Sequence, residues 1–153
     1  MIVSASSRVV GSATEDLPAI DRYDGIMAMV LRKYIREGYL CPKDILIVSP
    51  ALGLVRALDP IPCHEPVEGD YHSPKLDGPA LEKMNHAALL LLKKVTESQD
   101  YSEVYINVGK RLYPIIAGIE KLLACRIVHA TGKGLGPKTA HMRDWILSKT
   151  AIS

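Results

Sequence analysis

Four short apolar runs, separated by longer stretches with helical periodicity, constrain this chain more than any other feature. The runs are Ile2-Val3, Ile45-Leu-Ile-Val48, Val104-Tyr-Ile-Asn-Val108 and the segment Arg126–His129 around Ile127-Val128. A continuous apolar run suits a strand covered on both faces, as strands of parallel sheets are. Between the first two runs, Asp24 is placed to cap a helix reaching about Glu37, with Gly38 as its terminating glycine. Its apolar face is Ile26, Met27, Val30, Leu31, Tyr34 and Ile35. Pro79 opens the longest helix, to about Ser98; Pro114 opens another, and Pro137 the last. This alternation predicts a three-layer α/β/α sandwich around a mainly parallel four-stranded sheet, with right-handed crossovers. At 153 residues, one α/β domain spanning 1–153 is expected.

Composition narrows the function classes. Apolar residues make up 48% and charged residues 24%, and the net charge is only +2, so no global field recruits nucleic acid. The C-terminal segment differs: Arg126, Lys133, Lys138, Arg143 and Lys149 stand against Asp144 alone. A local basic face there suits an anionic ligand, or is a solvated helix surface. Cys41, Cys63 and Cys125 are odd in number and lack zinc-ligand spacing, which favours reduced thiols. The opening Met-Ile-Val-Ser-Ala does not read as a signal peptide, and the apolar run Ala87–Leu92 is too short to span a bilayer. A cytoplasmic protein with no membrane partner is the expectation.

In a parallel sheet, ligands collect at the carboxyl ends of the strands. Four segments fall there: Ser4–Arg8, Ser49–Val55, Asn107–Tyr113 and Thr131–Lys138. The last carries Gly132, Gly134 and Gly136 before Pro137, with Lys133 and Lys138 beside them. Strand, glycine loop and helix start in that order offer unpaired N–H groups to an anion. The spacing matches neither the P-loop nor the dinucleotide fingerprint, and a tight turn using positive φ accounts for the glycines equally well. The candidate ligand-binding set is Ser4, Ser6, Ser49, Gly53, Gly109, Lys110, Arg111, Tyr113, Gly132, Gly134, Gly136 and Lys138. Residues 58 to 79, with Pro60, Pro62, Pro66, Pro74 and Pro79, read as an irregular loop covering the pocket mouth.

Histidines give no catalytic pair. His64-Glu65 and Asp70-x-His72 lack zinc spacing, so no metal site is assigned. His129 ends a strand near the site, and His141 lies one turn beyond Lys138, facing the ligand on this reading. No serine occupies a G-x-S-x-G elbow, so no catalytic residue and no cofactor is named.

Two segments, Ile45-Leu-Ile-Val-Ser-Pro-Ala-Leu-Gly-Leu-Val55 and Pro62-Cys-His-Glu-Pro-Val-Glu-Gly-Asp-Tyr71, resemble the domain of archaeosine synthase outside its transglycosylase-like portion. They also resemble a set of small uncharacterised prokaryotic domains, which Gly109-Lys-Arg-Leu-Tyr113, Gly134-Leu-Gly136 and Trp145 fit as well. The resemblance implies an α/β fold like that of the uracil-DNA glycosylases and a link to nucleobases or modified tRNA. Where the related synthase has Pro-Cys-Ser after its first strand, this chain has Ser4-Ala-Ser-Ser7, so thiol chemistry does not carry over. The expectation is a nucleotide- or nucleobase-binding domain, with action on a base or N-glycosidic bond one extension of it. The alternatives are a non-catalytic RNA- or protein-binding module and an enzyme of small acids or phosphate esters.

Overall fold

The computed structural model describes residues 1–6, 8–11, 14–64, 69–70, 73–74 and 76–150. The main sheet has five strands: β1 (Ile2–Ser4), β2 (Leu46–Ser49), β3 (Gly53–Arg56), β4 (Glu103–Asn107) and β5 (Arg126–His129). Their order is β3-β2-β1-β4-β5. β1 runs parallel to β2 and β4 (Ile2 opposite Leu46 and Ile106), and β4 runs parallel to β5 (Val104 opposite Ile127). β3 alone is antiparallel, pairing Ser49 with Gly53. The sheet therefore has five strands rather than the four expected. Ser49-Pro50 reverses the chain instead of ending the sheet: Ser49 Oγ accepts from the Ala51 and Leu52 amides at 3.2 and 3.3 Å, and Gly53 closes the turn at φ +75°.

The helices are α1 (Ala19–Arg22), α2 (Ile26–Arg36), α3 (Gly78–Ser98), α4 (Ile119–Leu122) and α5 (Leu135–Thr150), with 3₁₀ turns at Pro42–Asp44 and Tyr113–Ile116. Strand side chains alternate between two buried clusters. Val3, Ile45, Ile47 and Tyr105 pack with Leu31 and Tyr34 of α2 and Met142 and Ile146 of α5. Ile2, Leu46, Val48, Val104 and Ile106 pack with Ala88 and Leu92 of α3 and Ile119 of α4. That two-sided burial is why the strands read as unbroken apolar runs, each fully buried isoleucine contributing about 1.5–3 kcal/mol.

Several boundaries differ from the sequence reading. Asp24 does not cap α2; Gly25 occupies that position, and the Asp24 carboxylate instead pairs with Arg32 at 2.7 Å and Arg8 at 3.4 Å. Gly38 does terminate α2, at φ +84°. α3 starts one residue before Pro79, where Asp77 Oδ1 accepts the Ala80 amide at 2.7 Å. α5 starts at Leu135, two residues before Pro137, whose missing N–H still falls among the donors a first turn leaves unbonded. Pro114 opens a 3₁₀ turn rather than an α-helix, and Asn85 of α3 donates to its Ile115 carbonyl at 3.1 Å and to Ala117 at 2.9 Å.

Residues 58–79 are not wholly irregular. Pro60–Ile61 pairs with Leu17–Pro18, and Gly69–Asp70 pairs with Ser73–Pro74, both antiparallel. Pro66, one of the five prolines behind that expectation, and Glu65 and His72, weighed as metal ligands, lie outside the described residues. No described helix is long and apolar enough to cross a membrane.

One polar cluster fastens α5 to the sheet. Glu103, at the start of β4, accepts from Trp145 Nε1 at 2.5 Å and Lys149 Nζ at 2.6 Å, with Arg126 at 3.6 Å. The Lys149 hydrogen bond, opposed by burial and helped by Trp145, holds the carboxyl below its ordinary value of 4.5. A depressed carboxylate contributes stability above its unfolded pKa and loses it as pH falls through the folded value. Glu103→Gln, which keeps an acceptor oxygen and loses the charge, should therefore cost about 0.5–1 kcal/mol near neutral pH. Melting curves of both proteins should converge as pH drops below 4.5. A gap that persists or widens on acidification would rule out the charged form as the stabilising species.

Candidate functional site

The sheet order reverses at β1: the chain leaves β1 for β2 on one side and later returns to β4 on the other. Such a switch point opens a crevice at the strand carboxyl ends, because the flanking connections diverge to opposite faces. A cleft of about 520 Å³ lies there. Ser4 ends β1 there and Ala5 and Ser6 follow it, Asn107, Gly109 and Arg111 come from the end of β4, and Gly134, Leu135 and Lys138 come from the start of α5. Gly25 to Ala28, the start of α2, close the remaining wall.

Local backbone chemistry builds these walls. A Cβ at Gly25 would fall 2.5 Å from Ser6 Cβ, so only glycine lets α2 begin against the β1 loop. Ser4 Oγ accepts the Gly109 amide at 2.9 Å, tying the loops after β1 and β4 together. Gly132 has φ +117°, and a Cβ there would meet Pro137 Cβ at 2.5 Å. This glycine folds the loop back onto the first turn of α5.

The electrostatics of the cleft favour an anion. α2 has no side-chain cap, and neither α2 nor α5 has an acidic residue in its first turn. Both helix starts therefore present N–H groups and the positive end of the dipole with no acidic side chain in the first turn. Arg111 and Lys138 add full charges, and among the described residues no aspartate or glutamate lines the cleft.

Asn107 is the residue that sequence reasoning did not single out. It is 4% exposed, and its carboxamide nitrogen contacts Met142 Sδ at 3.9 Å. Sulfur is a weak acceptor, so the carboxamide is poorly compensated for its burial. The available signal was an asparagine inside an otherwise apolar strand, Val104-Tyr-Ile-Asn-Val108, a residue type depleted in such positions.

The expected set divides. Ser4, Ser6, Gly109, Arg111, Gly134 and Lys138 line the cleft. Lys110 and Gly132 are on the same loops, outside the lining, and Gly136 lies in the first turn of α5 with open space around it. Ser49 is fully buried and accepts from the Tyr23 hydroxyl at 3.0 Å; that hydroxyl also lies 2.9 Å from His64 Nε2. Gly53 belongs to the β2–β3 hairpin, against Met84 of α3. Tyr113 is turned away as well: its hydroxyl donates to Glu120 and its ring lies 6.1 Å from that of His129. Burial and the Glu120 carboxylate push the Tyr113 phenol up to about 12.

His141 does not face the cleft as expected. Its Nδ1 lies 2.8 Å from the Tyr105 hydroxyl and its ring stacks on Tyr105, underneath α5. His129 is exposed at the end of β5 and is not part of the lining. None of the described residues of the 58–79 segment lines the cleft, and no group of metal-ligating residues is assembled among the described residues. Comparison with protein-family models, curated proteins and solved structures finds no match, so the functional reading rests on this geometry.

Proposed function

We propose that the cleft binds a nucleotide or nucleobase, with the heterocycle against Asn107 and the anionic group held by the α5 start, Arg111 and Lys138. The placement treats the two helix-bearing faces as the outer layers of a three-layer sandwich. Asn107 carries the reading. A buried carboxamide lacking strong partners costs about 1–3 kcal/mol. A ligand edge with an adjacent N–H donor and an acceptor satisfies both ends of it at once, as nucleobase lactam edges (N–H and C=O) and amidine edges (N–H and ring nitrogen) do. Arg111 and Lys138 then account for a phosphate, and the cleft volume accommodates one nucleotide.

A binding role without catalysis is the second reading, and one observation favours it. Among the described residues lining the cleft there is no histidine, aspartate, glutamate or cysteine to serve as general base or nucleophile.

Lys138 separates a ligand site from a simple turn. A cation in the first turn of a helix opposes the dipole, by about 0.3–1 kcal/mol. Lys138→Ala should weaken nucleoside monophosphate binding about tenfold or more while leaving the melting temperature unchanged or slightly raised. Calorimetric titration with a nucleoside monophosphate and its nucleoside, beside a melting curve, reads both effects. Unaltered affinity with a clear loss of stability would make Lys138 structural.

A further inference from the structure

We propose that the nucleotide reaches the cleft as part of a single-stranded polynucleotide, whose phosphodiesters run over a basic rim formed by the loops after β4 and β5. This rests on the nucleotide reading of the cleft. The two strands are parallel neighbours, in register from Glu103 opposite Arg126 to Ile106 opposite His129, so their loops leave the sheet at the same edge. One loop carries Lys110 and Arg111; the other carries Lys133 and leads to Lys138.

Arg8, Arg32, Lys93, Arg126, Arg143 and Lys149 all have a carboxylate within ion-pair distance. Among the described residues, Lys110, Arg111, Lys133 and Lys138 have none, and the first three are exposed. Among the described residues, Lys33, Arg36, Lys43, Arg56, Lys83, Lys94 and Lys121 also lack a carboxylate within ion-pair distance, but Lys110, Arg111, Lys133 and Lys138 gather on two neighbouring loops at the cleft. A mononucleotide accounts for Arg111 and Lys138, which line the cleft, but leaves Lys110 and Lys133 without a role. Phosphodiesters on either side of a bound nucleotide supply one.

Exposed apolar side chains border the same cleft. Ile26 and Leu135 line the cleft while 56% and 46% exposed, and Met29, one turn along α2, is 58% exposed. Cations and exposed apolar side chains at one cleft suit a single strand, which presents both phosphates and unpaired bases. A concave cleft takes an unstacked base, which a duplex does not offer without unpairing.

The test is fluorescence anisotropy with a labelled single strand of about twelve nucleotides, a length within the range such surfaces cover. Intact and abasic versions are compared in RNA and DNA form, beside unlabelled nucleoside monophosphate as competitor. The intact strand should bind at least about tenfold tighter than the monophosphate, in one or both sugar forms. With about four phosphate contacts at a slope near −0.7 each, affinity should fall about 50-fold between 50 and 200 mM salt. For the Lys110→Ala/Lys133→Ala double variant, checked by melting to be folded, the fall should shrink to about sevenfold. A strand that binds no tighter than the monophosphate, or a double variant with an undiminished salt dependence, overturns the polynucleotide proposal and leaves the nucleotide reading standing. An abasic strand binding as tightly as the intact one overturns the placement of a base in the cleft, and the nucleotide reading with it.

Discussion

Replacing Arg22 with alanine is expected to cost about 3–5 kcal/mol of folding free energy, the largest effect of any single substitution considered. Arg22 is fully buried in α1, and among the described residues its guanidinium donates to backbone carbonyls: Ile61 at 3.1 Å, Val10 at 2.5 Å, and Glu15. Val10 and Glu15 lie in the loop after β1 and Ile61 in the Pro60–Ile61 ladder, so one fork joins the two. Truncation leaves three carbonyls unpaired and a void where the side chain was. Gly11 follows the same logic, since a Cβ there would fall 2.6 Å from Arg22 Nη1. Arg22→Met, which keeps the apolar stem, should recover part of the loss and separate packing from hydrogen bonding. Urea unfolding at matched m-values measures both. A loss below about 1 kcal/mol for the alanine variant would mean that the carbonyls find water instead.

Asn107 should respond in the opposite way. Leucine at this position removes a poorly compensated carboxamide from the interface between β4 and Met142, so Asn107→Leu should leave stability unchanged or raise it by about 1 kcal/mol. The same change should reduce nucleotide affinity about 100-fold, because the ligand's polar edge would then be buried against methyl groups. Gain in stability with loss of binding is the signature of a residue kept for its ligand. Loss of both would instead assign Asn107 to the fold.

The sheet was readable because its physics is short in range. Strands buried on both faces show as apolar runs, and the order of runs and helical stretches was enough for a mostly parallel α/β fold. β3 escaped because Ser49-Pro50 looks like a stop, and Gly53-Leu-Val-Arg56 is too short to show a period. Arg22 escaped for a different reason: nothing in Asp21-Arg22-Tyr23 distinguishes a buried fork from a solvated side chain, because its partners are carbonyls 7 to 39 residues away. At the site, the strand-end rule located the cleft without identifying all its residues. Ser4, Gly109 and Lys138 follow from it, whereas the start of α2 enters only through the packing of Gly25 on Ser6. Side-chain direction decided the rest. Tyr113 and His141 are close in sequence to lining residues, yet Glu120 and Tyr105 claim their polar atoms.

The central claim, a nucleotide-type ligand in the switch-point cleft, is tested most directly by amide chemical-shift mapping during titration with a nucleoside monophosphate. Saturable shifts are expected at Ser4 to Ser6, Gly25 to Ala28, Asn107 to Arg111 and Gly134 to Lys138, and none in the Asn107→Leu protein. Saturable shifts clustered elsewhere, or the same cleft shifts persisting with leucine at position 107, would contradict it.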